Sequence, residues 1–220
     1  MPSIVPSILE NSFEKFAEIL EKIDGLTPLI EIDVMDGIFV PNKSFQDVER
    51  LNDLNPKSKF QLHLMVDDAL GEIERWKDIK NVAKIIFHIE TSSNPHKCIS
   101  AIREQNREVG IAIKLDTPLD AITPYFGIID ELLFMTVNPG RQGGKFLPEV
   151  GDKIKAFNFF ANQPVNQFRD KPRIGVDGGI NKDTIAVASS WGVEIFGVGS
   201  AIAKTEDPKK SYEELKSLIA

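Results

Sequence analysis

Leu29-Ile30-Glu31-Ile32-Asp33-Val34-Met35-Asp36-Gly37 alternates residue types along an apolar run and then breaks on a turn signal. Period two places Glu31, Asp33 and Met35 on one face of a strand, with Ile30, Ile32 and Val34 on the other. The strand reads as buried. Two carboxylates on one face of a buried strand are costly unless a metal, a proton or a cation meets them.

Working outward, the same kind of short apolar run recurs from end to end. Strands are expected at 3–9, 29–35, 60–66, 83–88, 110–115, 131–137, 173–177 and 194–198. Helical patterns separate them at 13–23, 45–53, 68–76, 95–105, 119–125, 147–160, 182–190 and 208–218. This alternation predicts a parallel sheet with crossover helices. Eight repeats in 220 residues fit one (β/α)8 barrel, a TIM barrel, over residues 1–220. A doubly wound open sheet is the alternative, weakened because no G-x-G-x-x-G opens the first unit. The least regular stretch, 157–171, carries Phe157, Phe159, Phe160 and Phe168. It reads as a helix end packed on the barrel exterior, or as a subunit contact.

Composition narrows the function. The chain has 42% hydrophobic and 27% charged residues, ordinary for a soluble protein. A net charge of -7 argues against a broad nucleic-acid surface. One cysteine, Cys98, excludes an internal disulfide framework and fits a reducing cytosol. The first residues lack a basic segment followed by a long apolar one, so no signal peptide is expected. No run reaches the ~18 apolar residues of a membrane span. A cytoplasmic protein with no membrane partner is expected.

In such a barrel, chemistry sits where strands end and the following loops begin. Strand two offers Glu31 and Asp33 there. The third puts Gln61, His63 and Met65 on one face, and the seventh ends in Val176-Asp177-Gly178-Gly179. Glu31, Asp33, His63 and Asp177 thus form a candidate divalent-metal site, whose mixed oxygen and nitrogen donors suit zinc, manganese, iron or cobalt. His88 ends strand four, before Ile89-Glu90-Thr91, and is read as a hydrogen-bonding support of the rim. His96, at a helix start, is read as solvated. Three glycine-bearing segments follow late strands: Asn138-Pro139-Gly140-Arg141-Gln142-Gly143-Gly144-Lys145-Phe146, then Asp177-Gly178-Gly179-Ile180-Asn181, then Gly197-Val198-Gly199-Ser200-Ala201. The last two read as a phosphate cradle of backbone N–H groups. The first reads as a lid that excludes water.

Together these stretches resemble the ribulose-phosphate 3-epimerase family. The resemblance runs through Pro6-Ser7-Ile8-Leu9, Ile32-Asp33-Val34-Met35-Asp36-Gly37 with Phe39-Val40-Pro41-Asn42, His63-Leu64-Met65-Val66, His88-Ile89-Glu90, Met135-Thr136-Val137-Asn138-Pro139-Gly140, Val176-Asp177-Gly178-Gly179-Ile180 and Gly199-Ser200-Ala201-Ile202. It implies a barrel of the ribulose-phosphate-binding type and a metal-assisted proton transfer at C3 of a ketose phosphate, ribulose 5-phosphate first. A metal would polarise the C2 carbonyl and stabilise the enediolate, with Asp33 and Asp177 as the two acids on opposite faces. Both are implied metal ligands. Ser7 matches a serine near the substrate, and Met35, Met65 and Met135 match methionines against its carbon skeleton. Gly140, Arg141, Gly143, Gly144, Gly178, Gly179, Gly199 and Ser200 complete the expected substrate contacts. A homo-oligomer is implied as well.

Two departures stand out. The family has histidine where this chain has Glu31, giving three carboxylates and one imidazole. That set favours harder ions such as manganese, iron(II) or magnesium over zinc, or leaves Glu31 protonated or paired with a cation and no metal at all. The lid usually reads Pro-Gly-Phe-Gly-Gly-Gln, whereas here an aromatic has become Arg141, which could meet the substrate phosphate or stay solvated. A six-carbon substrate such as allulose 6-phosphate, or a barrel that binds a phosphosugar without turnover, are the alternatives. Related lyases carry Asp-x-Lys-x-x-Asp after strand three, for which His63-Leu64-Met65-Val66 leaves no place.

Overall fold

Eight parallel strands close into a barrel in a computed structural model that describes residues 1–140, 144–163 and 171–219. They are β1 (Ser3–Ile8), β2 (Leu29–Met35), β3 (Lys59–Met65), β4 (Val82–His88), β5 (Glu108–Ile113), β6 (Glu131–Met135), β7 (Arg173–Asp177) and β8 (Ile195–Val198). Each strand pairs with its sequence neighbours, and β1 pairs with β8. That last pairing excludes the open doubly wound sheet.

Helices α1 (Phe13–Ile23), α2 (Ala69–Arg75), α3 (Pro95–Glu104), α4 (Val150–Ala161), α5 (Ile185–Ser189), α6 (Ser200–Ala203) and α7 (Pro208–Ser217) surround it. Their starts follow local chemistry. The side chains of Ser12, Asn94 and Asp207 accept the backbone N–H groups of Lys15, Lys97 and Lys210. Proline then opens α3 and α7, where its missing N–H costs nothing. Phe13, Phe16, Leu20 and Ile23 form the buried stripe of α1. They join the main core, where Phe16 meets Phe45 and Phe60 at ring-centroid distances of 4.8 and 6.2 Å.

Two expected helices are not α-helices. Residues 45–53 hold only a 3-10 helix at Val48–Asp53, and 119–125 breaks into two 3-10 turns at Leu119–Ala121 and Thr123–Tyr125. Pro124 lies inside the second region and removes a donor that a continuous helix needs. In the irregular stretch, α4 continues to Ala161 with Phe157 buried and Phe159 exposed, while Phe168 lies outside the described residues.

The strands bury both faces. Ile30, Ile32 and Val34 point outward into the helix layer. Inward, Ile86, Ala112, Leu133, Met135 and Val137 form a separate apolar cluster. Below it, toward the strand starts, Lys84 donates to Glu131 at 2.7 Å and faces Glu108 at 3.3 Å. Both Lys84 and Glu131 are buried. Gly175 on β7 is the residue whose missing Cβ leaves room for the Glu131 carboxylate.

Candidate active site

Parallel register brings the predicted side chains level with one another at the C-terminal end of the barrel. Glu31 pairs with Gln61, Asp33 with His63, Met35 with Met65, Met135 with Asp177, and Asp177 with Gly197. One donor atom from each of Glu31, Asp33, His63 and Asp177 lies within 4.8 Å of all the others. Asp33 comes from β2 and Asp177 from β7, with β1 and β8 between them, so they approach from different sides of the barrel axis. Glycine at 197 matters here. A Cβ would stand 2.9 Å from Asp177 Oδ1 and 3.3 Å from Glu31 Oε1.

The electrostatics are those of charge concentrated under a dry floor. Burial, then the Asp177 and Asp33 charges, push the Glu31 carboxyl well above the ordinary range. Burial, with Asp33 next in weight, raises Asp177 to about 7. Burial opposes charge on His63, but Asp33 at 3.3 Å, with Glu31 and with Asp177 at 3.7 Å, outweighs it and raises the imidazole to about 9. Glu31 Oε1, Asp33 Oδ1 and His63 Nδ1 are buried without a hydrogen-bond partner. Buried polar atoms are normally paired. Once His63 gives up its Nδ1 proton, three lone-pair atoms from three residues face one another with no donor between them, an arrangement a cation satisfies. The donor set therefore fits a divalent metal.

Around the cluster the sequence had not singled out every partner. Gln61 donates from Nε2 to Glu31 Oε2 at 2.6 Å. The His63 and His88 Nε2 atoms are 3.1 Å apart, and His88 Nδ1 lies 3.0 Å from Glu90 Oε2. Burial lowers His88 to about 4 despite Glu90. Burial would raise Glu90, but its hydrogen bonds with His88, Thr117 and Lys114 N hold it at about 2. His88 thus supports the rim as expected. His96 is exposed, against the Tyr125 ring at 5.0 Å.

A cleft opens above this floor. It is lined by Ser7, Asp33, Met35, Met65, Met135, Gly140, Gly144, Asp177, Gly178, Gly179, Gly199 and Ser200 among the residues singled out from sequence. Glu31 and His63 lie beneath it and are fully buried. Arg141 and Gly143 lie outside the described residues. Leu9, Val137, Phe146 and Asn181 also line the cleft; they lie in segments that the sequence marked, but no individual role had been assigned to them. Thr136 holds the end of β7 in place, donating from Oγ1 to the carbonyls of Asp177 and Gly178 at 2.9 and 2.6 Å. Gly178, at φ +109°, then turns the chain over the cleft. Across the mouth, Asn42 Nδ2 donates to the Gly140 carbonyl at 2.5 Å.

The profile of the Ribulose-phosphate 3 epimerase family matches residues 3–203. The chain belongs to the ribulose-phosphate 3-epimerase family. It is accordingly an isomerase acting on carbohydrates. Ribulose-phosphate 3-epimerase of Mycobacterium bovis is 33% identical over 226 aligned positions, covering 98% of this chain and 92% of that one. The Bacillus subtilis ribulose-phosphate 3-epimerase is 32% identical over 223, covering 98% and 99%. Among solved structures, 3-hexulose-6-phosphate synthase from Salmonella typhimurium superposes with a TM-score of 0.73 at 18% identity, covering 98% of this chain and 97% of the other. That likeness concerns the fold alone. Among the described residues, no helix is long and apolar enough to cross a membrane.

Proposed function

We propose that this chain interconverts D-ribulose 5-phosphate and D-xylulose 5-phosphate in a metal-dependent reaction, with Asp33 and Asp177 as the two proton-transferring acids. The observation that carries this reading is the buried cluster of Glu31, Asp33, His63 and Asp177, with three orphaned ligand atoms, under a cleft of methionines and glycine loops.

The two sugars differ only at C3, so the reaction needs one group to remove a proton and another to return it on the opposite side. Asp33 and Asp177 reach the cleft from β2 and β7, which suits that division. Glu31, Asp33, His63 and Asp177 would hold a divalent ion (manganese, iron(II), magnesium, cobalt or zinc), which would supply positive charge to offset the negative charge that develops on the substrate when the C3 proton leaves. Met35, Met65 and Met135 present polarizable sulfur to the carbon skeleton and offer it no competing proton. Backbone N–H groups at Gly178, Gly179 and Gly199, with the Ser200 hydroxyl, take the phosphate.

Nuclear magnetic resonance of ribulose 5-phosphate incubated with manganese-loaded protein tests the reading. Xylulose 5-phosphate should accumulate to equilibrium. Asp33→Asn and Asp177→Asn should each slow this by about 10²–10⁴-fold, the usual worth of a positioned acid or base. Either variant turning over near the wild-type rate would remove that residue from its role.

A further inference from the structure

His63 can ligate an ion through Nδ1 only if its ring proton sits on Nε2, and the residues behind it decide where that proton goes. Glu90 Oε1 accepts two hydrogen bonds, from the Lys114 backbone N–H at 2.8 Å and from the Thr117 hydroxyl. Two donors converging on one oxygen suit a carboxylate, which can only accept. Its other oxygen, Oε2, faces His88 Nδ1 at 3.0 Å, so His88 must carry its proton on Nδ1. That leaves His88 Nε2 as a bare acceptor. Opposite it, at 3.1 Å, stands His63 Nε2, which must then be the donor. His88 Nδ1, His88 Nε2 and His63 Nε2 thus each have one role left to them, and an ion can take only His63 Nδ1. Both rings are fully buried, and the Phe39 ring covers His88 at 4.8 Å, so water does not offer an alternative partner.

We propose that Glu90, acting through His88, is a positioning residue that fixes the tautomer of His63, keeping the proton on Nε2 and the Nδ1 lone pair aimed between Asp33 and Asp177. The row continues outward to a clamp. Lys153 on α4 donates to the carbonyls of Lys114 at 2.6 Å, Leu115 at 3.1 Å and Thr117, which holds the segment that feeds Glu90 its donors. Hydrogen-bond partners behind a ligating imidazole set its orientation and basicity, and their loss typically weakens metal binding by about 10–100-fold.

The inference rests on the metal reading above for its consequence but not for its first observable. Long-range proton–nitrogen correlation spectra of the ¹⁵N-labelled protein, recorded without added metal and with Zn²⁺, report which ring nitrogen of each histidine carries a proton. His88 should carry it on Nδ1 in both samples, and His63 on Nε2 with Zn²⁺ present. A proton on His88 Nε2 in either sample, or on His63 Nδ1 with zinc bound, overturns the inference. A wild-type protein that takes up neither Zn²⁺ nor Mn²⁺ overturns the metal reading instead, and the His88 tautomer still decides this one. Calorimetric titration with Mn²⁺ gives a second readout. Glu90→Gln keeps the side-chain shape but turns an acceptor into a donor, while Glu90→Asp keeps the acceptor and shortens the chain. Tautomer control predicts the larger affinity loss, about 10–100-fold, for Glu90→Gln. An equal or larger loss for Glu90→Asp would mean that Glu90 serves only to fill space.

Discussion

Glu31 differs from the other members of the buried cluster in how it is held. One of its oxygens accepts from Gln61, and the other faces the ion site without a partner. A third carboxylate makes the donor set harder and more negative, which favours manganese, iron(II) or magnesium over zinc. Glu31→His should therefore raise zinc affinity relative to manganese, on the order of tenfold. An unchanged preference in competitive titration would mean Glu31 is not a ligand. The same charges give uptake a pH dependence of known sign. Asp177 is raised to about 7, Glu31 is raised, and His63 is raised to about 9, so protons occupy the groups an ion needs. Ligands must lose those protons. Apparent Mn²⁺ affinity should rise from pH 6 to pH 9, and titration at pH 7 in buffers of different ionisation enthalpy should show proton release. A flat profile would contradict the assignment of these groups.

At the scale of elements, strand β8 acts by what it omits. Gly197 has no side chain, and Asp177 and Glu31 occupy the space beside it. Gly197→Ala should cost about 1–3 kcal/mol of stability through overpacking and weaken metal binding out of proportion to that cost, measured by urea unfolding beside Mn²⁺ titration. Binding unchanged in a folded variant would show that the carboxylates move aside freely. The strands themselves were legible because period two in the Leu29–Met35 segment leaves only one face for Glu31 and Asp33. The connections were less so. Apolar spacing alone suggested helices at 45–53 and 119–125; in the second, spacing does not register the donor that Pro124 removes. The Glu90–His88–His63 row was hidden for another reason. His88 and Glu90 are separated only by Ile89 in sequence, yet their partners Thr117 and His63 come from other units of the barrel.

On the scale of the whole molecule, closure of the barrel turns isolated polar residues into pairs. Lys84 on β4 and Glu131 on β6 meet across the interior at 2.7 Å, a contact that no local pattern announces. Lys84→Met should destabilise the fold by about 3–5 kcal/mol, because it leaves Glu131 buried without its cation. Adding Glu131→Leu should recover most of that loss in urea unfolding, whereas no recovery would mean that the pair is not the source. Closure also brings β2 and β7 to one cleft, and on this the proposed reaction rests. Two acids on opposite sides require that the proton removed and the proton returned be different ones. The decisive measurement is the isotope content at C3 of the first xylulose 5-phosphate formed from ordinary ribulose 5-phosphate in deuterated water by the manganese-loaded protein. Transfer by Asp33 and Asp177 predicts solvent deuterium at C3 in essentially every product molecule. Protium retained at C3 of the product would contradict it.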